Sequence, residues 1–268
     1  MDLNRVSSLR AARTRGDLDL APGETVLAGG SWLFSEPQPA VTGLVDLTAL
    51  DWAPWSIHDG GLSVSATCTI TQLLESPPPA AWRASSLFRE CAEAFLMSFK
   101  VWNTATVGGN LCLALPAGAM ISLSVALDAE AIVWTPDGGE RREPVASFVR
   151  GVRTTSLQPG EVLRSVEFPA MALRGHTSFR KIALTPLGRS SAVVTGRVDA
   201  DGRTTLGLTA ATTRPHVFHF GQPPTDDALR LALETVDDWY DDAHGAPDWR
   251  SAVSLTLAYE VCEELRSS

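Results

Sequence analysis

Two short segments carry the clearest chemistry in this sequence. Leu27-Ala28-Gly29-Gly30-Ser31 and Thr104-Ala105-Thr106-Val107-Gly108-Gly109-Asn110 each place adjacent glycines beside small hydroxyl residues. Without a Cβ, consecutive residues turn so that successive backbone N–H groups point at one spot, a nest suited to an anion. Two such bends facing each other would grip both halves of a diphosphate without any basic side chain. Ser31, Thr104 and Thr106 add hydroxyl donors, and Asn110 both donates and accepts. Neither segment follows G-x-G-x-x-G or G-x-x-x-x-G-K-[ST], which sets aside Rossmann and Walker-type loops.

Other candidate clusters carry less. His216 and His219 are three apart, but H-E-x-x-H is absent and no third ligand accompanies them, so no metal site is expected. Gly188-Arg189-Ser190-Ser191-Ala192 is not a G-x-S-x-G nucleophile turn. The pairs Asp226-Asp227, Asp237-Asp238 and Asp241-Asp242 read as helix-start and solvated-face charges. Cys68, Cys91, Cys112 and Cys262 are widely spaced with no C-x-x-C, so no iron–sulfur or zinc site is expected on this chain. They read as buried small hydrophobes in a reducing compartment. No catalytic dyad or nucleophile stands out.

The elements that must position the bends are legible from periodicity. Strands are expected over Glu24–Ala28, Thr42–Leu47, Leu62–Thr67, Ala131–Trp134 and Val162–Phe168. Helices are expected over Thr69–Glu75, Ala80–Phe99 and Ile121–Leu127. In the second of these Leu87, Cys91, Phe95 and Phe99 recur every fourth residue on one face. Pro136-Asp137-Gly138-Gly139 marks a hairpin turn. After Pro169 the pattern becomes β-type over Ser178–Leu184, Ser191–Val198 and Thr204–Ala211. Two closing amphipathic helices follow, about Thr225–Trp239 and Pro247–Leu265. The reading is α+β in two units, residues 1–170 and 171–268.

The 268 residues carry a net charge of −9, which argues against a general nucleic-acid surface. An anionic ligand on such a chain needs local donors. The first 20 residues lack the continuous apolar block of a secretory signal, and Ala117–Trp134 is broken by Asp128 and Glu130. The expectation is a soluble, cytoplasmic protein with no membrane span.

Taken in order, A-G-G-S-x-L after an N-terminal strand and T-V-G-G-N-L-C-x-A-x-P-A-G about 80 residues later resemble the flavin-binding medium subunit of the xanthine dehydrogenase and carbon monoxide dehydrogenase family. Ser178-Phe179-Arg180-Lys181, the β-meander and the helix bearing Trp249-Arg250 extend the likeness over most of the chain. The resemblance implies a two-part FAD-binding domain of the p-cresol methylhydroxylase type, followed by a C-terminal β-meander with helices. It implies FAD held on one side by Ala28, Gly29, Gly30, Ser31, Trp32 and Leu33. The other side falls to Thr106, Val107, Gly108, Gly109 and Asn110, with Cys112–Ala119 running along the flavin. Lys181 is the match for a lysine that approaches the flavin, with Arg180 the competing alignment.

The same likeness implies a partner with two [2Fe–2S] clusters and a molybdopterin-binding large subunit, assembled as a dimer of heterotrimers. Electrons would pass from the clusters to FAD and on to an external acceptor. This chain departs from the family at Ser31-Trp32, at Trp102-Asn103-Thr104, at Leu115-Pro116-Ala117-Gly118-Ala119, and at Leu184-Thr185-Pro186-Leu187-Gly188-Arg189, where acidic and paired basic residues are usual. Those losses define the alternative, a non-redox structural or assembly subunit with weak or lost FAD binding.

Overall fold

The computed structural model describes residues 3–75, 78–94 and 98–267. Strands β1 (Ser8–Ala11), β2 (Glu24–Leu27) and β3 (Gly43–Asp46) form a parallel sheet with β3 in the middle. Arg10 on β1 forks onto both carboxylate oxygens of Glu24 at 2.9 and 2.8 Å. That pairing holds the Glu24 carboxyl at about 2 and pins the start of β2, the strand that leads into the first glycine bend.

A hairpin of β4 (Trp55–His58) and β5 (Gly61–Ser65) leads to four helices. These are α1 (Ile70–Leu74), α2 (Ser85–Ala94), α3 (Phe99–Trp102) and α4 (Val107–Leu113). Thr69 caps α1 and makes a reciprocal bond with Gln72. Thr106 caps α4 by accepting the Gly109 N–H. Helix α5 (Ala119–Ala126) has every residue buried, as expected of a helix enclosed on all sides.

The chain continues through β6 (Glu130–Trp134), β7 (Glu140–Pro144), α6 (Val145–Phe148), β8 (Val149–Gly151) and β9 (Thr154–Thr155). Strand β10 (Val162–Pro169) then returns between β5 and β6, antiparallel to both, giving the order β4-β5-β10-β6-β7. Short α7 (Ala170–Arg174) follows.

Strands β11 (His176–Ile182), β12 (Ala192–Val198), β13 (Thr204–Thr209) and β14 (His216–Phe220) pair in sequence order as an antiparallel meander. Helices α8 (Asp226–Leu233) and α9 (Pro247–Arg266) cover it. Val194, Leu206, Leu208, Leu229 and Val261 share its core. The meander meets α5 directly, with the Ser122 and Thr209 hydroxyls 2.6 Å apart.

Arg197 on β12 is 1% exposed and ties the meander to the end of α5. It donates to Asp199 at 2.8 Å, to the Ala126 carbonyl at 2.6 Å, and to Asp128 just past α5.

Two expected helices differ from the reading above. The segment Ala80–Phe99 is not one amphipathic helix among the described residues: α2 begins only at Ser85, and Ser98 is extended before α3 begins at Phe99. Leu87 and Cys91 are buried, whereas Phe99 is 72% exposed; Phe95 lies outside the described residues. The helix expected to reach Trp239 stops at Leu233. Beyond it Asp238 accepts from Thr213, and lies 2.5 Å from His216 Nε2, so the chain is drawn back onto the sheet. No helix among the described residues is long and apolar enough to cross a membrane.

Candidate functional site

The two glycine bends touch. Gly29 lies so close to the end of α3 that a Cβ there would stand 1.6 Å from the Thr104 carbonyl oxygen. No side chain fits, so glycine at this position is a condition of the bends meeting. Gly108 has a parallel constraint on its other side, where a Cβ would fall 2.4 Å from that of Ala66. That closeness seats α4 against the end of β5.

Both bends wall one cleft of about 630 Å³, within the usual range for a ligand site. Ala28, Gly29, Gly30, Ser31, Trp32 and Leu33 line it from the first bend. Thr106, Gly108, Gly109, Asn110 and Cys112 line it from the second. Val107 is absent from this wall, because its side chain is buried in the core beneath α4. Lys181 is exposed on β11 and does not reach the cleft either. Arg180, its competitor, pairs with Glu264 at 2.8 Å and Glu260 at 3.4 Å.

The two bends differ in what their amides can offer. Val107 N–H donates to the Cys68 carbonyl at 2.9 Å and Gly108 N–H to the Ala66 carbonyl at 3.0 Å. Gly109 N–H donates to Thr106 Oγ1, and Asn110 N–H to the Thr106 carbonyl, both at 3.0 Å. The expected second nest is therefore already spent on the fold. Asn110 is similarly engaged, since its Oδ1 accepts the Met120 N–H at 2.9 Å and ties α4 to α5.

The first bend is different. Gly30 adopts φ +67°, and no backbone N–H from Ala28 to Leu33 donates a hydrogen bond within the described residues. This is where an anion finds donors.

The remaining wall is largely apolar, with Val101, Ala105, Leu115, Ala117, Val162 and Leu163. Trp32 Nε1 is buried beside it without an acceptor, and the Arg153 guanidinium lies 6.0 Å from the Trp32 ring centre. Glu161 also lines the cleft. Its carboxylate is taken by Arg141 at 2.6 and 2.8 Å, which keeps it below the ordinary range. Burial in this wall pushes the Cys112 thiol up to about 12.

Arg153, Glu161 and Arg189 were invisible to motif reasoning, because each arrives from a different loop. The only signal for Arg189 was its place at the end of a stretch where paired basic residues are usual in the resembled family.

A family model described as the FAD binding domain in molybdopterin dehydrogenase matches residues 4–171. The chain belongs to that family. Over 163 residues it is 26% identical to the carbon monoxide dehydrogenase medium chain of Hydrogenophaga pseudoflava, covering 61% of this chain and 54% of the relative. Over 113 residues it is 30% identical to a putative xanthine dehydrogenase FAD-binding subunit of Escherichia coli strain K12, covering 42% and 37%. The matches thus span about half or less of those relatives.

The fold is shared more widely. A quinoline 2-oxidoreductase chain from Pseudomonas putida 86 superposes with a TM-score of 0.81 over 98% of both chains at 24% identity. A carbon monoxide dehydrogenase chain from Oligotropha carboxidovorans gives 0.82 over 96% of both at 19% identity. The molybdopterin dehydrogenase assignment and the mixed α and β fold expected from the sequence both stand.

The histidines fit no metal reading. His216 and His219, three apart on β14, lie on opposite faces of the strand. The described residues hold no group of three or more His, Cys, Asp or Glu able to bind an ion.

Proposed function

We propose that this chain is the FAD-carrying electron-transfer component of a molybdenum-containing hydroxylase or dehydrogenase. Its electrons come from [2Fe–2S] clusters on a small partner subunit, after substrate oxidation on a molybdopterin-binding large subunit. They leave to an external acceptor. The assembly is a cytoplasmic dimer of heterotrimers, with residues 1–170 forming the FAD-binding domain and 171–268 the C-terminal domain. The observation that carries this reading is the single cleft walled by both glycine bends in a chain of this family.

When bound, FAD accepts electrons singly and passes them on in pairs, chemistry that belongs to the cofactor. The chain's residues bind, orient and shield it. Unengaged amides between Ala28 and Leu33 serve the diphosphate, together with the Ser31 hydroxyl. Trp32 presents an unsatisfied indole N–H. Thr106, Gly108, Gly109 and Asn110 form the opposite rigid wall, and Cys112 lies beyond them. The apolar lining excludes water and strengthens each polar contact. Val107 supports this wall from beneath, and Lys181 takes part only if the β11 surface approaches the cofactor in the assembly.

The committed amides of the second bend are what the alternative of a structural subunit without flavin would draw on, whereas the cleft walled by both bends favours a bound cofactor. The test is the complex purified with its partners. The proposal expects the visible flavin band in stoichiometric amount, bleached by substrate only when the partner subunits are present. A colourless subunit in a fully active complex sinks the proposal.

A further inference from the structure

This inference rests on the flavin reading above and concerns how the cofactor's charge is met. The only permanently ionised part of oxidised FAD is its diphosphate. With the second bend's amides committed, half of the expected backbone donors are missing, on a chain of net charge −9. Three charged side chains stand out along the cleft: Arg153, Glu161 and Arg189. Glu161 is neutralised by Arg141 at 2.6 Å. Arg153 faces Glu36 at 3.9 Å and lies over the Trp32 ring.

Arg189 is the exception. It is partly buried, yet it has no hydrogen bond, ion pair or ring contact among the described residues. A guanidinium set in the wall of an open cleft with no partner among the described residues is left to pair with an anionic occupant. The chain also fixes where it stands. Ser190 Oγ donates to the Ala94 carbonyl at 3.1 Å, and Ser191 Oγ to the His244 carbonyl at 2.6 Å. Buried Arg250 of α9 grips the Ser191 carbonyl from below. The segment carrying Arg189 is thus anchored to both parts of the molecule, and its one free group faces the cleft.

We propose that Arg189, rather than Lys181, is the cation that the C-terminal part presents to the cofactor, and that it pairs with the FAD diphosphate. An arginine suits this task, because its planar fork matches two phosphate oxygens at once. Lys181 sits on β11, outside the cleft wall.

The test uses the full chain stripped of flavin, titrated with FAD and separately with riboflavin, which has no phosphate. Relative to the unaltered chain, R189Q is expected to bind FAD roughly tenfold to a hundredfold more weakly. R189K recovers most of that loss, and K181Q binds as the unaltered chain does. FAD binding by R189Q also depends less steeply on ionic strength. Riboflavin affinity is the same in the unaltered chain and R189Q. Because Arg189 has no partner among the described residues, thermal melts of the flavin-free variants should coincide. Unchanged FAD affinity in R189Q, or an equal loss for riboflavin, overturns the assignment of Arg189 while leaving flavin carriage intact. Failure of the unaltered chain to bind FAD overturns both.

Discussion

At the scale of single residues, Trp32 gives the sharpest contrast between the free and the loaded protein. Its indole N–H is buried with no acceptor, a defect that normally costs more than a hydrogen bond gains. W32F keeps a ring in the wall and removes the orphan donor. The flavin-free variant should melt no lower than the unaltered protein. Its FAD affinity should fall by the worth of one hydrogen bond, about 0.5–1.5 kcal/mol, measured by titration. Equal affinities would place the indole away from any cofactor atom. The sequence marked Trp32 as a site residue through its neighbours in A-G-G-S-W. It could not show which amides were free. That depends on Cys68 and Ala66, far away in the chain, accepting from Val107 and Gly108.

At the scale of elements, the joint between α5 and the meander decides whether the cleft keeps its shape. Arg197 satisfies Asp199, Asp128 and the Ala126 carbonyl at once, with almost no exposure. R197M fills much of the same space but strands the buried Asp199 carboxylate. Removing one partner of such a pair costs about 3–5 kcal/mol, which urea unfolding would register as a lower midpoint. A loss below about 1 kcal/mol, the range of a surface pair, would show that the cluster relaxes easily.

Periodicity found most of these elements, since strands and buried helices repeat on the length scale of a few residues. It ran one helix across Ser98, which is extended before α3 begins at Phe99. It also missed β1, β4, β7, β8, β9 and β14, all of five residues or fewer. The central place of β10 between β5 and β6 was not legible either, because that pairing joins residues about a hundred positions apart.

At the scale of the whole molecule, the four cysteines act together. Burial pushes Cys68 and Cys112 up to about 12, Cys262 to about 11, and Cys91 well above its ordinary value. Their folded values lie above those of the unfolded chain, near 9.0. Below that pH both states hold the protons and the folded state loses nothing. Above it the unfolded chain ionises first, so stability falls as pH rises toward the folded values. Urea midpoints should be flat from neutrality to about pH 9 and decline beyond it. A rise in that window would contradict the assigned burial. The absence of C-x-x-C spacing already pointed to inert thiols, and composition sufficed for that much. The division of labour between the bends was beyond composition, because it arises from how distant parts pack.

The contact between Gly29 and the Thr104 carbonyl has an evolutionary consequence. A descendant that abandoned its flavin would still need glycine at position 29, and also at 108 against Ala66, merely to fold. Double-glycine signatures would then persist as fossils after the cofactor had gone. Drift would show first at Arg189, which no other described residue holds.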